Sequence, residues 1–337
     1  MEAIRTSSLS LRFRAARPAA AATSESQANR MFVFGYGFVG RYVSERLKTE
    51  GWQVSGTCTS AVKKRQLEDV GLEAFMFDVN KDELKGLYSL QDATHLLISI
   101  PPIPGIGDPL VCLHEDLRST LSCGNLQWLC YLSSTSVYGD CGGAWVDEDY
   151  PVNPKRESAK ARFSAEKGWL DLGHDLGVAA YVFRLGGIYG PGRSALDTII
   201  SPTAMSEKQK MRNSRRYTAR VHVADIYQAI KASFDVPYSG RIYNVVDDEP
   251  APRAEVFAYA QDLIQRKGTG LSGEIDDGDL ASFGTNQVEG YTGGGEKRVS
   301  NARLKKELGV ELFYPTYRSG LQSISDSWTC RDSHQPR

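Results

Sequence analysis

A glycine-rich loop between an apolar run and an amphipathic run constrains the fold of this chain more than any other feature. Residues 31–34 are apolar or aromatic throughout, which is typical of a buried parallel strand. Gly35, Gly37 and Gly40 follow in G-x-G-x-x-G spacing, and the next dozen residues carry apolar side chains at helical spacing. A second β-rich run, 53–57, then completes a unit of the length expected for β-α-β.

Each glycine of this loop has a physical reason. Gly35 permits a tight turn, Gly37 lets a pyrophosphate approach the backbone, and Gly40 lets helix and strand pack closely. The helix N-terminus then faces the phosphates. The loop predicts dinucleotide binding by these glycines together with Phe38 and Val39, against the alternative of a glycine-rich turn that binds nothing.

Length and composition exclude several classes of function. The 337 residues carry a net charge of −1, so bulk electrostatics favour neither nucleic acid nor acidic membrane. We find no apolar run long enough to span a bilayer and expect no membrane partner. The 6 cysteines include no C-x-x-C pair and no partner at metal-ligand spacing, so we expect no metal site and a reducing compartment.

The first 30 residues differ in composition from the rest. They are rich in arginine, serine and alanine, contain no lysine and hold two acids, Glu2 and Glu25. This pattern predicts a transit peptide at 1–30 and places the protein in the chloroplast stroma, with the mitochondrion as the alternative. A disordered tail without an address is the other interpretation.

Strand and helix patterns alternate from residue 31 to about 190. This alternation predicts an α/β fold, a Rossmann-like doubly wound parallel sheet. We assign 31–190 to cofactor binding, 191–325 to a small C-terminal substrate lobe, 326–337 to a tail and 268–295 to a surface loop. Further strands are predicted at 74–77, 95–100, 128–133, 179–183 and 242–246, and helices at 110–123, 158–173, 254–265 and 301–308.

The end of the second strand bears on which nicotinamide cofactor binds. An acid there would favour NAD, because it accepts hydrogen bonds from the ribose 2′-hydroxyl. Here Thr57 and Thr59 stand at the strand end without an acid, and the basic run 63–65 follows. Hydroxyls and cations suit a 2′-phosphate, so we expect NADP, with NAD as the alternative. The basic run could instead be a solvated helix start.

Two further loops lie at the carboxyl ends of strands, where such sheets bind ligands. We expect Asp78 and Val79 near the adenine, and Ser99, Ile100 and Pro101 against the middle of the cofactor. Asp78 could equally be a helix N-cap.

Four motifs together carry a resemblance to a known family. They read LSSTSVYG at 132–139, RLGGIYGPGR at 184–193, RVHVAD at 220–225 and YNVVDDEP at 243–250. In this order the chain resembles the extended short-chain dehydrogenases, the NAD(P)-dependent epimerase/dehydratase family, over about residues 31–325. The short glycine motif is similar to that of an atypical subgroup, the YeeZ-like members.

The resemblance implies a catalytic serine or threonine, a tyrosine that transfers a proton, and a lysine four residues later that holds the nicotinamide ribose. Ser134 matches the first position. Glu166 matches an acid that usually follows the lysine by four residues, so Ser158 stands where the tyrosine should be and Arg162 where the lysine should be.

These two replacements change the chemistry. A serine hydroxyl is a poor general acid at neutral pH, and arginine keeps its proton although it can hydrogen-bond a ribose. Tyr189, Tyr138 or Tyr150 could act instead as proton donor, each with the alternative of a packing aromatic.

The motif histidine and the basic run complete the candidates. We expect His222 to fix a loop and Asp225 to cap or pair locally. The basic run 207–220 could clamp a phosphate or carboxylate or contact RNA, with a solvated loop as the alternative. It holds one tyrosine, Tyr217, which gives little support for base stacking, so we expect no nucleic-acid partner.

These observations predict an NADP-dependent oxidoreductase or epimerase-like enzyme. Its substrate is a small polar or anionic molecule, for example one like a nucleotide sugar. The alternative is a catalytically silent NADP-binding regulatory or scaffold protein, with RNA contact through the basic run as one form of it. A homodimer is compatible with the resemblance, because related folds often pair through helices beside the active-site helix.

Overall fold

The strand pattern expected from the sequence is present in the structure, a computed structural model. It describes residues 29–122, 124–201, 217–236, 238–267 and 296–328. Most of the predicted leader, the basic run up to residue 216, the loop 268–295 and the end of the tail lie outside the described residues. The described strands are β1 Arg30–Phe34, β2 Gln53–Cys58, β3 Glu73–Met76, β4 His95–Ile98, β5 Trp128–Ser134, β6 Trp145–Val146, β7 Ala179–Leu185, β8 Gly187–Tyr189, β9 Arg220–His222, β10 Arg241–Val245 and β11 Arg298–Val299.

Helices connect and flank these strands. Short 3-10 turns at Leu84–Gly86, Val111–Leu113 and Thr135–Tyr138 supplement them. The described helices are α1 Phe38–Thr49, α2 Ala61–Asp69, α3 Tyr88–Gln91, α4 His114–Ser122, α5 Glu157–Leu176, α6 Ala195–Ile200, α7 Val223–Ala232, α8 Arg253–Arg266, α9 Ala302–Leu308 and α10 Tyr317–Ser327.

A central sheet of 7 strands has the order β10-β7-β5-β4-β1-β2-β3, and every neighbouring pair in it is parallel. Sequence order reverses on either side of β1, which pairs with β2 on one side and β4 on the other. Such a reversal opens a crevice at the carboxyl ends of the strands, where α/β sheets bind their ligands. This architecture confirms the Rossmann-like doubly wound α/β fold.

The first strand shows how the sheet is covered on both faces. Successive side chains of a strand point to opposite faces, so Met31 and Val33 join one core while Phe32 and Phe34 join the other. On one side α1 supplies Val43 to the first core, and α5 closes the second core on the other side. Burial on both faces explains why the strand reads as a continuous apolar run.

The C-terminal part contributes both to the sheet and to a smaller core. Strand β10 pairs in register with β7 and completes the sheet edge. Helices α6, α8 and α10 pack around a separate apolar cluster that includes Leu196, Val256 and Leu321. Helix α9 ends at Leu308 and is capped by Gly309, whose φ of 63° is left-handed. Among the described helices, none combines the length and apolar character needed to cross a bilayer.

Candidate active site

The glycine loop after β1 is shaped by contacts that only glycine allows. Gly35 has a φ of 95°, and its amide donates to Thr57 Oγ1 at 2.9 Å. A Cβ on Gly40 would lie 2.3 Å from the Gly35 carbonyl oxygen, which leaves no room for a side chain. Thr57 is buried, and its hydroxyl oxygen stabilises the glycine loop by accepting this hydrogen bond.

Gly37 differs because the position of its missing side chain is open space. A Cβ placed there would come no nearer than 4.0 Å to Ser99 Oγ. Gly37 is the N-cap of α1, provides no side-chain cap, and is followed by a first helical turn without acids. Unpaired amides and the helix dipole at such an end suit a pyrophosphate, so these residues fit a dinucleotide cofactor.

A cavity of about 1240 Å³ opens at the carboxyl ends of the central strands. It brings the glycine loop and the catalytic candidates to one place, although they lie far apart in the sequence. The sequence-predicted residues that line it are Gly37, Phe38, Val39, Ser99, Pro101, Ser134, Ser158, Arg162 and Tyr189. Gly35, Gly40, Ile100 and Thr57 lie behind this wall, where Ile100 Cγ1 would be 2.9 Å from a Cβ on Gly35.

The residues predicted at the adenosine end lie away from this cavity. Thr59 is exposed after β2, and Ser60 Oγ accepts from the Lys63 amide at 3.3 Å as the N-cap of α2. Lys64 pairs with Glu68 across one helical turn at 3.6 Å. Hydroxyls and lysine side chains therefore lie together at the start of α2.

Asp78 forms a local turn after β3, next to the half-buried Val79. Its Oδ1 accepts from the Asn80 amide at 3.1 Å, and Oδ2 pairs with Lys81 at 3.1 Å. These bonds to Asn80 and Lys81 lower the pKa of the Asp78 carboxyl. The carboxylate is thus engaged within its own loop.

Ser134, Ser158 and Arg162 meet on the catalytic side of the cavity. Ser134 ends β5, and its Oγ accepts from the Ser136 amide at 3.1 Å. Ser158 is exposed in the first turn of α5, and Arg162 follows one turn later, half-buried. Spacing of four residues places both on one helix face, which explains why the sequence could predict their proximity.

Arg162 has a buried acid beneath it. Burial raises the pKa of the Asp108 carboxyl and that of the Tyr131 hydroxyl, and the Arg162 charge opposes both shifts. Asp108 accepts from Trp169 Nε1 at 3.0 Å and from the Leu110 amide at 3.0 Å. The Arg162 guanidinium therefore lies near a buried acid, Asp108, whose position is fixed by hydrogen bonds.

Glu166, the acid implied by the resemblance, is a structural residue. It accepts from Ser133 Oγ at 2.6 Å and from Arg184 at Nε, 3.1 Å, and Nη2, 2.7 Å. The side chains of Glu166 and Arg184 are both 2% exposed. This pair ties α5 to β5 and β7 directly beneath Ser134, and nothing in the local sequence identified Arg184 as the partner.

The tyrosines considered as proton donors are committed elsewhere or lie outside the cavity wall. Tyr138 donates to Asn244 Oδ1 at 2.8 Å, and burial raises its pKa to about 12. Tyr189 lines the cavity, but its hydroxyl donates to the Thr316 carbonyl at 3.4 Å, and burial raises its pKa. Tyr150 is half-buried and does not line the cavity.

The histidine and aspartate of the motif at 220–225, His222 and Asp225, accept hydrogen bonds from backbone amides. His222 Nδ1 accepts from the Ala224 amide at 3.2 Å and caps α7, and burial lowers the pKa of the ring to about 4. Asp225 accepts from the Phe313 amide at 2.6 Å and also from that of Tyr314, and burial raises the pKa of the carboxyl to about 6. His222 fixes a turn as expected, whereas the Asp225 partners are distant in sequence.

The cavity wall contains cations that sequence reasoning did not assign to the site. Tyr217 and Arg220, from the described end of the basic run, also line it. The further cations are Lys155, Arg156, Arg193, Arg253 and Lys297. Arg193 closes the motif at 184–193 and Arg253 follows the motif at 243–250, so position relative to the motifs could have indicated these two.

Comparisons with known proteins bear on the family and the fold. No family model matches the chain. The Escherichia coli K12 protein YeeZ is 26% identical over 293 residues, which cover 85% of this chain and 96% of YeeZ. A conserved protein of unknown function from Silicibacter pomeroyi is 32% identical with a TM-score of 0.67, and the match covers 89% of this chain and 99% of that one.

Two further solved structures bear on the fold. A Methylobacillus flagellatus protein assigned as an NAD-dependent epimerase/dehydratase is 25% identical with a TM-score of 0.61, covering 90% of this chain and 99% of that one. UDP-glucuronic acid 4-epimerase from Bacillus cereus, solved with NAD, is 17% identical with a TM-score of 0.64 over 88% of this chain and 95% of its own. The second match concerns the fold alone. The chain is therefore a YeeZ-like protein with the fold of the NAD(P)-dependent epimerase/dehydratases.

Proposed function

We propose that this protein is an NADP-dependent oxidoreductase or epimerase-like enzyme that acts on a small polar or anionic substrate. One observation carries the proposal: a single cavity joins Gly37 of the glycine loop to Ser134, Ser158 and Arg162. The nicotinamide, when bound, supplies hydride transfer. Ser134 orients the substrate oxygen through its hydroxyl, and Arg162 donates to the ribose hydroxyls.

The preference for NADP rests on the start of α2. Thr59 is exposed there, Ser60 caps the helix, and the Lys63 side chain makes no ion pair with a described residue. Titration of the purified protein with both cofactors tests this. Lys63→Gln should weaken NADP binding by about tenfold and leave NAD unchanged, since one charged contact to a phosphate is lost. Lys85→Gln, at an exposed position outside this loop, is the control. Tighter binding of NAD than of NADP by the wild type would contradict the preference.

Turnover is tested with a panel that includes UDP-glucose and UDP-glucuronic acid, following NADPH oxidation and sugar epimerisation. The UDP-glucuronic acid 4-epimerase that shares the fold acts on the second of these compounds. Ser134→Ala should lower kcat/KM by about 100-fold, because the hydroxyl that orients the reacting oxygen is removed. Ser119→Ala on α4 is the control. Turnover unaffected by Ser134→Ala would remove this catalytic assignment.

A catalytically silent NADP-binding regulatory or scaffold protein is the second candidate. The observation in its favour is that the hydroxyls of Tyr138 and Tyr189 are turned away into hydrogen bonds, while serine and arginine hold the two catalytic positions. Tight NADP binding without turnover across the panel would favour this candidate.

A further inference from the structure

Three cations at the start of α5 face the catalytic part of the cavity. Lys155 and Arg156 precede the helix, Arg162 lies in its second turn, and all three line the cavity together with Ser158. Helix α5 packs against the turn Thr135–Tyr138, which directly follows Ser134. Within the described part of the chain, Lys155 and Arg156 form no ion pair, whereas Arg162 interacts with the buried Asp108 carboxyl and the Tyr131 hydroxyl.

The acids that line the cavity do not neutralise the charges of Lys155 and Arg156. Among the described lining residues the acids are Asp140 and Asp197. Asp140 Oδ1 accepts from the Gly142 amide and the Glu296 amide, each at 3.1 Å. Asp197 Oδ2 accepts from the Ser194 hydroxyl at 2.5 Å. Both acids are engaged in their own loops, and neither pairs with a cation of the described wall.

The helix end adds to the positive potential. Arg156 is the N-cap of α5 and gives no side-chain cap to the first turn. Glu157, the acid of that turn, pairs with Lys160 at 2.8 Å and does not line the cavity. The helix dipole therefore acts with the Lys155 and Arg156 side chains on the same space.

The cofactor accounts for a different cation. The Arg193 guanidinium lies 5.3 Å from the centre of the Phe38 ring, which belongs to the glycine loop. Arg193 is thus on the side of the cavity that fits the pyrophosphate. The charges of Lys155 and Arg156 are on the side of Ser134 and remain for the second ligand, whereas Arg162 holds the ribose in the proposed function.

We propose that the reacting end of the substrate carries an oxyanion, a carboxylate or phosphoryl group, held by Lys155 and Arg156. Arginine suits either group because its planar fork donates two parallel hydrogen bonds. Ser158 adds a hydroxyl donor where a tyrosine would fill the space. The proposal rests on the proposed function, since it takes the nicotinamide cofactor as the other occupant of the cavity.

Three compounds of similar shape but different charge, here called the charge ladder, test this proposal. Oxalate, oxamate and oxamide carry two, one and no negative charges, and each is titrated by calorimetry into protein saturated with NADP. Oxalate should bind about tenfold or more tightly than oxamide, with oxamate between them. Inorganic phosphate, titrated in parallel, separates the two sources: tighter binding than oxalate indicates a phosphoryl group, and weaker binding a carboxylate.

Two variants decide where the charge is recognised. Lys155→Gln and Arg156→Gln should each reduce oxalate affinity by about tenfold while NADP affinity stays unchanged. Lys160→Gln, on the same helix but outside the cavity wall, should keep the ladder. Equal affinity for the three compounds, or a ladder that persists in both variants, would overturn the proposal. If NADP fails to bind, the proposed function fails, and the ladder measured without NADP on the same variants still decides the anion site.

Discussion

Replacement of Glu166 by glutamine tests the structural account of the site most directly. The carboxylate faces Arg184 and accepts from Ser133, and both charged side chains are 2% exposed. Glutamine keeps the shape and still offers one oxygen to the serine hydroxyl. Its NH₂ group, however, must face the Arg184 Nη2 atom to which Glu166 Oε2 now accepts at 2.7 Å.

The expected loss of stability follows from the buried charge. Removing one partner of a buried ion pair costs about 3–5 kcal/mol, because the remaining charge is left without compensation. The shape and one hydrogen bond are kept, so we expect Glu166→Gln to lower the free energy of unfolding by about 3 kcal/mol. Arg184 Nη1 already lacks a hydrogen-bond partner, so this guanidinium has little scope to recover the loss.

Equilibrium urea unfolding followed by tryptophan fluorescence measures the effect. Glu45→Gln is the matched control, because Glu45 pairs with Arg41 across one turn of α1 but is 42% exposed. That change should cost at most about 0.5 kcal/mol.

The reasoning is refuted if Glu166→Gln costs less than about 1 kcal/mol, as a solvated pair would. The double variant Glu166→Gln with Arg184→Met provides a second experiment. It remains informative if the single variant does not fold. Removing the guanidinium should recover much of the lost stability, since no unpaired charge is then buried. A double variant no more stable than the single one would show that burial of the Arg184 charge is not the cause.

Four other outcomes are expected. Gly40→Ala should cost more than about 2 kcal/mol of stability and abolish NADP binding, because its Cβ would clash with the Gly35 carbonyl oxygen. Gly37→Ala should leave stability unchanged, because its Cβ would contact no backbone atom closely. Burial raises the folded-state pKa of Asp225 from 3.8 to about 6, so the protonated carboxyl stabilises the fold at low pH. About 3 kcal/mol of this stabilisation is lost as the pH rises from about 4 to 6. Asp225→Asn should remove this pH dependence, measured by urea unfolding. Tyr138→Phe should cost about 1–2 kcal/mol by urea unfolding and leave NADP affinity unchanged, since its hydroxyl is a buried structural donor. A fusion of residues 1–30 to a fluorescent protein should enter chloroplasts, and diffuse cytosolic fluorescence would contradict the transit-peptide proposal.

Local order could be predicted from the sequence because it depends on neighbours along the chain. The apolar run before Gly35 gave β1, and the helical spacing of Val39, Val43 and Leu47 gave the buried face of α1. Spacing of four likewise placed Ser158 and Arg162 on one helix face. The parallel α/β class followed from the alternation of such units.

Hydrogen-bond partners could not be predicted, because they join segments far apart in the chain. Asp225 binds the Phe313 amide 88 residues away, and Tyr138 donates to Asn244 at a separation of 106. A single sequence carries no record of such pairs, since many side chains could satisfy each donor. The structure therefore assigns structural roles to residues that the motifs left open.

The sequence by itself determined the glycine loop, the α/β class and the departure from the usual catalytic pair, because each depends on residue type and short-range spacing. Only the tertiary structure decided which charges meet. Lys155 and Arg156 converge with Ser134 because strand ends and helix starts gather at one edge of a parallel sheet. That convergence places a cationic face beside the glycine loop and the altered active-site helix.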